Sequence, residues 1–202
     1  MRKLQNNLWA QLLIIYTRYL IGGAFLFASM IKIMGGRFTT DSGADAPINS
    51  AWHFFETLYQ SGLYWQFIGM GQLVAAFFLM TQRYSKLGAL MFLPIISNIF
   101  VVTISYDFRG TPIITGLMLL ANLMLLLWEW DELKILFNKE PVLNQKSAFE
   151  MQRCWEVTGL LLFLFTVVFR SVVGSYNIFI WIGVSLLVGL AGLVWGLRGR
   201  KH

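Results

Sequence analysis

The sequence predicts an all-α membrane protein, a four-helix transmembrane bundle followed by a two-helix C-terminal extension, with six spans in total. Of its 202 residues, 57% are hydrophobic and only 13% are charged, and the mean hydropathy is +0.63. A soluble domain has roughly one half apolar residues and about one quarter charged residues. The apolar residues are also gathered into six runs. Most of these runs are close in length to the roughly 20 residues that a helix needs to cross a bilayer. This composition leaves too little polar surface for a protein that faces water.

The predicted spans cover residues 8–34, 63–81, 87–106, 112–130, 156–173 and 177–197. The basic start of the chain resembles a signal peptide, but the first apolar run continues to Met34 without a small-residue cleavage site, which favours a transmembrane helix. The fifth run is the weakest, because Arg170 lies near its end and Gly174 follows it. A short, tilted or half re-entrant fifth segment therefore stays open.

The connection after the first span is predicted to contain an amphipathic helix near residues 48–60. Ile48, Trp52, Phe55 and Tyr59 recur there at helical spacing, and Asn49 or Ser50 precedes them as a candidate N-cap. We expect this helix to lie on the outer membrane surface or over the bundle.

The polar, proline-containing stretch 131–153 divides the chain. We expect a transmembrane core over residues 1–135, a cytoplasmic linker over 136–155 and a two-helix extension over 156–202. A stripe of small residues on the last helix, Ser185, Gly189, Gly192 and Gly196, permits close helix contact. Packing against the fifth helix is the simpler interpretation, and a seam between two copies in a homo-oligomer is the alternative.

The basic residues are unequally divided between the two sides of the predicted membrane. One side holds both termini and Arg2, Lys3, Arg83, Lys86, Lys134, Lys139, Lys146, Arg153, Arg198, Arg200 and Lys201, whereas the other holds Arg37, Arg109 and Arg170. Positive residues collect in cytoplasmic connections, so both termini are predicted to be cytoplasmic. The net charge of +6 is explained in this way, and no nucleic-acid partner is expected.

Ionisable and amide side chains in the core helices fall into three predicted layers. The layer nearest the termini holds Arg18, Arg83 and Glu129. The middle layer holds Gln72, Asn98 and Asn122. The external layer holds Lys32, Asp107 and Arg109, with His53 and Glu56 nearby.

Charges at membrane depth are costly and need partners. We therefore expect an ion pair between Arg18 and Glu129, and a pair between Lys32 and either Asp107 or Glu56. Each of these residues also has a purely structural alternative. The amides would only join helices, Lys32 would extend to the membrane surface, and Arg83 would only orient the chain in the membrane.

Several chemistries have no residues to carry them in this sequence. Cys154 is the single cysteine, and His53 and His202 are the only histidines, so an internal disulfide, a dithiol pair and a multi-ligand metal site are not expected. No nucleophile–base pair or phosphate-binding loop is recognisable. We expect no intrinsic cofactor and no intrinsic catalytic activity.

Two segments resemble a known membrane family. The first runs from Arg18-Tyr-Leu-Ile-Gly-Gly to Ala-Ser-Met-Ile-Lys32, and the second contains Gly-Met-Gly-Gln72 and ends at Arg83, followed by Ser85-Lys-Leu-Gly and Pro94. Together they resemble the DoxX-like family over about residues 10–135. The resemblance implies a four-helix bundle in a bacterial inner membrane, with some relatives linked to quinone-dependent or oxidative-stress systems. Many relatives have a glutamate where this chain has Gln72.

Three functions are compatible with these observations. The first is an accessory subunit of a quinone-linked redox system, in which the polar residues bind a quinone headgroup and a partner protein supplies the electrons. The second is a scaffold or assembly factor that packs against other membrane proteins. The third is a transporter of a small solute, although no inverted repeat is detectable.

Overall fold

The computed structural model describes residues 5–142, 147–173 and 177–199, and these are mostly helical. The helices are α1 (Leu8–Ile33), α2 (Ala51–Gln60), α3 (Leu63–Met80), α4 (Ser85–Ser105), α5 (Thr111–Trp128), a short α6 (Trp130–Leu133) continued by the 3-10 turn Lys134–Phe137, α7 (Arg153–Val172) and α8 (Ile178–Arg198). Among the described residues, six of these helices are long and apolar enough to cross a membrane, namely all except α2 and α6. The prediction of an all-α membrane protein is confirmed.

Helices α1, α3, α4 and α5 pack around a common centre. Helix α1 contacts α3 and α5, and α4 contacts both α3 and α5, so the four helices close a ring. Helix α7 packs against α1 and α3, and α8 packs against α7. We call the end of the bundle where α1 begins and α8 ends the terminal side, and the other end, which carries α2, the opposite side.

Local sequence signals explain several helix ends. The side chain of Asn7 accepts hydrogen bonds from the N–H groups of Trp9 and Ala10 at the start of α1. Ser50, one of the two predicted caps, accepts from the His53 N–H at the start of α2. Gly62 and Gly110 precede α3 and α5 with positive φ angles of 57° and 74°, a conformation that glycine adopts without a steric penalty.

The fifth apolar run forms an unbroken helix. Helix α7 has 20 residues and begins at Arg153, three residues before the predicted start. At about 1.5 Å per residue it is about 30 Å long, the thickness of a bilayer core. Helix α7 itself is therefore uninterrupted and long enough to cross a bilayer.

The small-residue stripe on α8 packs against other helices of the same chain. A side chain at Gly192 would collide with Thr158, and one at Gly196 would collide with Trp155, both on α7. At Gly189 the stripe meets α1, where the Tyr16 hydroxyl donates to the Gly189 carbonyl over 2.7 Å. Packing of the last helix against the fifth, the simpler of the two predictions, is confirmed.

The two halves of the bundle differ in how they are filled. The terminal half has a dense core, in which Ile15, Leu79 and Phe92 are fully buried and Leu125 is 1% exposed. In the opposite half, the space between the same four helices is a cavity of about 520 Å³. The position of this cavity within the ring makes it the first candidate for a functional site.

Candidate functional site

Arg18 lies near the middle of α1 and is 2% exposed. Its three hydrogen-bond partners lie in three different connections between helices on the terminal side. Nη1 donates to Gln82 Oε1 over 2.8 Å, and Nη2 donates to Glu129 Oε1 over 2.9 Å and to Glu150 Oε1 over 3.2 Å. We call these four residues the terminal charge cluster. The predicted Arg18–Glu129 pair is confirmed by this geometry.

The cluster ties the ends of several helices together. Gln82 follows α3 with a positive φ of 58° and also donates to the Ile15 carbonyl. Glu150 precedes α7 and accepts a further hydrogen bond from Trp128 Nε1 over 3.3 Å. Because a non-glycine residue in this backbone region is held there by its surroundings, the contacts of Gln82 account for its strained turn.

Lys86 extends the cluster toward the surface. Its Nζ lies 3.7 Å from Glu129 Oε2 and is hydrogen-bonded to Glu132. Glu129 therefore bridges two cations, a buried one and a partly exposed one. Two carboxylates around one guanidinium lower the cost of burying each charge, so this arrangement is first of all structural.

Arg83 lies beside Gln82, at the depth predicted for it, but it does not join the cluster. The side chain is exposed and its guanidinium lies 5.7 Å from the ring centre of Tyr84. Gln82, the residue before it, takes the inward position because the strained turn after α3 points this residue toward Arg18.

The cavity in the opposite half is mainly apolar, with a few polar groups. Its walls come from α1, α3, α4 and α5, and Phe38, Phe54, Phe55 and Phe108 lie at its outer end. The polar lining residues are Lys32, Tyr64, Gln72, Asn98, Thr103, Thr111 and Thr115. Its volume falls within the about 300–1,000 Å³ of typical small-molecule sites. The described residues that line it include no carboxylate, histidine or cysteine.

Lys32 is 5% exposed and is the cation of this cavity. Its Nζ donates to the Ala28 carbonyl over 2.9 Å and lies 4.8 Å from the ring centre of Phe38 and 5.1 Å from that of Trp65. Among the described residues no carboxylate forms an ion pair with it. The predicted pairing of Lys32 with Asp107 or Glu56 was therefore wrong.

Glycine makes this approach of α1 and α3 possible. A side chain on Gly69 of α3 would lie 2.9 Å from Lys32 Cβ and 3.1 Å from the Ser29 carbonyl oxygen. With glycine at this position the two backbones come close, and the stem of Lys32 is covered by α3. Burial of the lysine thus has a specific sequence cause.

The three amides of the predicted middle layer separate in the structure. Gln72 and Asn98 line the cavity, and the buried Oε1 of Gln72 has no hydrogen-bond partner among the described residues. Asn122 instead donates to the Ala89 carbonyl over 3.1 Å. Ala89 precedes Asn98 by nine residues on α4, or about 13.5 Å along the axis. The single middle layer was wrong for Asn122, which joins two helices in the packed half.

Glu56 pairs with a residue outside the predicted layers. Both its carboxylate oxygens accept hydrogen bonds from Arg37, at 3.0 Å for the shortest contacts, and it also accepts from the Gly43 N–H and the Gln60 amide. The Arg37 guanidinium, helped by these two donors, holds the pKa of the Glu56 carboxyl below its usual value. This network fixes the connection 35–50 onto α2.

Helix α2 lies over the bundle, which is one of its two predicted positions. Phe54 stacks on Tyr106 with ring centres 4.7 Å apart, and Phe55 packs against Phe38 and Phe108 at 5.6 Å and 5.3 Å. Since Phe38, Phe54, Phe55 and Phe108 also line the cavity, α2 forms its cap.

The other predicted external residues remain outside the cavity. Asp107 and Arg109 lie exposed in the tight turn between α4 and α5, both with positive φ angles. His53 on α2 is partly buried, and its Nδ1 has no hydrogen-bond partner in the described part of the chain. The structure therefore gathers Lys32, Gln72 and Asn98 in one site and leaves His53, Glu56, Asp107 and Arg109 in or beside the cap.

Sequence reasoning missed three contributors to these sites. Gln82 and Glu150 were missed because each lies in a connection, where helical periodicity gives no signal. The aromatic cap was missed as a cavity wall, although the density of aromatic residues over 52–59 and at Phe108 is a visible signal for it.

The fold and the site together define a multi-pass α-helical membrane protein with a capped cavity inside its four-helix ring. Over 125 residues the chain is 32% identical to the Bacillus subtilis (strain 168) protein described as "Uncharacterized protein YwoB", and the matched region covers 58% of this chain and 77% of that protein. The chain belongs to the same family as YwoB. No family model matches the chain, and no solved structure matches it.

Proposed function

We propose that the protein binds a membrane-soluble quinone in the capped cavity and serves as an accessory subunit of a quinone-linked redox system. The observation that carries the proposal is the composition of the cavity wall, a mainly apolar lining in which Lys32, Gln72 and Asn98, together with a few hydroxyl side chains, supply polar groups. A quinone has an apolar body and two acceptor oxygens, and such a molecule needs a few hydrogen-bond donors in an apolar site.

The two sites have different roles in this proposal. The terminal charge cluster holds the helix ends in place, and the cavity takes the ligand. The lining offers donors but no recognisable redox group, so electrons would pass between the quinone and a partner protein. The resemblance of the first two core helices to the DoxX-like family supports this redox assignment and a bacterial inner-membrane location.

Quinone binding to the purified full-length protein is the test. A benzoquinone with a decyl tail is titrated into the protein in mild detergent, and quenching of tryptophan fluorescence is followed, since Trp65 lines the cavity. We expect saturable quenching, which Ala28→Phe weakens because a benzyl group at this lining position occupies part of the site. Organic extraction of protein isolated from its native membrane is expected to yield a bound quinone.

A matched substitution on the lipid-facing side serves as the control. Leu120 on α5 is 63% exposed and lies outside the cavity, so Leu120→Phe adds a ring without entering it. This variant should bind as the original protein does. The proposal fails if no saturable quenching is seen, or if Ala28→Phe and Leu120→Phe behave alike.

A further inference from the structure

We infer that the cavity prefers a ligand whose headgroup carries a negatively charged oxygen, and that Lys32 confers this preference. The inference rests on the proposed function in that both use the same cavity, but it concerns the charge of the ligand, which the quinone proposal leaves open.

The first support is the environment of the Lys32 ammonium group. It is buried between α1 and α3, yet within the described residues it donates to the neutral Ala28 carbonyl and lies near the rings of Phe38 and Trp65. Aromatic faces attract a cation but do not neutralise it. A buried charge is ordinarily paired, so this site lacks a counter-ion that a ligand can supply.

The second support is that the nearby protein carboxylates are engaged or turned away. Glu56 is held by Arg37, by Gly43 and by Gln60. Asp107 is exposed in the turn that follows α4. Neither is positioned to neutralise Lys32 when the cap is in place.

The third support is the remainder of the lining, which accepts an anion without repulsion. No carboxylate belongs to the described part of the cavity wall, and the amide groups of Gln72 and Asn98 provide further polar contacts. The rest of the wall is mainly aliphatic and aromatic, with three threonine hydroxyls and that of Tyr64. The site therefore suits an amphiphile with an anionic oxygen at one end and an apolar body.

Two kinds of molecule share this chemistry, and they can be compared with neutral partners of nearly the same shape. One is a long-chain carboxylate, for which palmitate and hexadecanol form the pair of probes. The other is a quinone with an ionised ring hydroxyl, for which a 2-hydroxy-3-alkyl-1,4-naphthoquinone and its 2-methoxy analogue form the pair.

The experiment measures the affinity of all four probes for the purified full-length protein in nonionic detergent at neutral pH. We expect at least one anionic probe to bind about tenfold or more tightly than its neutral partner, because a hydrogen bond to a buried charged group is stronger than one between neutral groups. Lys32→Met should remove the preference while leaving the affinity for the neutral probe nearly unchanged. Lys32→Arg should keep it.

Retained binding of the neutral probe shows that the Lys32→Met protein is folded. An unfolded variant would lose binding of both probes of a pair. Arg109→Gln is the matched charge control, because it removes a positive charge from the same side but from an exposed turn outside the cavity. It should retain the full preference for the anion.

The outcomes separate the two proposals. Equal affinities for charged and neutral probes, or a preference that survives in Lys32→Met, overturn the inference and leave quinone binding intact. Tight binding of palmitate without binding of any quinone supports the inference and overturns the quinone assignment. Absence of binding by all four probes and by the decyl benzoquinone overturns both.

Discussion

At the scale of single residues, Arg18 and Lys32 show two ways of burying a cation on one helix. Arg18 has a planar group with several donors, and it is surrounded by two carboxylates and an amide oxygen. Lys32 has a compact ammonium group, and it is surrounded by two aromatic rings and a backbone carbonyl. The first arrangement is complete within the chain, whereas the second leaves a charge unneutralised, which is why we assign structure to one and ligand binding to the other.

Replacement of Arg18 by methionine should strongly destabilise the protein. The change leaves the carboxylates of Glu129 and Glu150 buried without their common partner, and breaking a buried ion pair on one side typically costs about 3–5 kcal/mol. Thermal unfolding of the purified protein in mild detergent, followed by circular dichroism, measures this loss.

Two further variants control the Arg18 experiment. Arg83→Gln removes an exposed positive charge at the same end of the bundle and should stay within about 0.5 kcal/mol of the original stability. Combining Arg18→Met with Glu129→Gln and Glu150→Gln should recover part of the loss, since no carboxylate then remains unpaired. An Arg18→Met protein as stable as the original would contradict the assignment.

At the scale of elements, glycine positions determine which helices dock. Helix α8 contacts the rest of the chain through a narrow face, and Gly192 and Gly196 bring it onto Thr158 and Trp155 of α7. Its other faces are exposed, with Leu186 and Leu187 above 60% exposure. A helix held by so narrow a face depends on backbone approach, because lipid competes equally well for its apolar side chains.

A valine on the docking face of α8 should therefore separate it from α7. Gly192→Val places two methyl groups against Thr158, and overpacking of this kind typically costs about 1–3 kcal/mol. Gly183→Val is the control on the same helix, because nothing lies within 4 Å of a side chain at that position. Apparent melting temperatures in detergent should fall for the first variant and not for the second; equal effects would show that α8 does not depend on this contact.

At the scale of the whole molecule, local sequence patterns predicted the membrane-spanning helices. The two sites depend instead on contacts between residues that are distant in the sequence, several of them in the connections between helices. Runs of apolar residues suffice for the spans because the bilayer fixes their length. Counting along straight helices did not show which polar side chains meet: Asn122 joins two helices, Gln82 rather than Arg83 contacts Arg18, and Lys32 has no carboxylate partner among the described residues. A strained turn at Gln82 and a close approach at Gly69 are not visible in periodicity. Glu129 was found because it lies at a helix end, while Glu150 lies in a connection that carries no pattern.

Orientation is a property of the whole chain, and the unequal distribution of basic residues predicts that the terminal side faces the cytoplasm. Cys154 is the only cysteine and is 5% exposed, so a Cys154→Ser background permits single reporter cysteines. Ser42→Cys lies exposed on the opposite side and Lys139→Cys lies exposed on the terminal side. In intact cells a membrane-impermeant maleimide should label the first, and it should label the second only after the membrane is permeabilised. The reverse pattern would show that the capped end of the cavity faces the cytoplasm. Its ligand would then be expected in the cytoplasmic leaflet of the membrane.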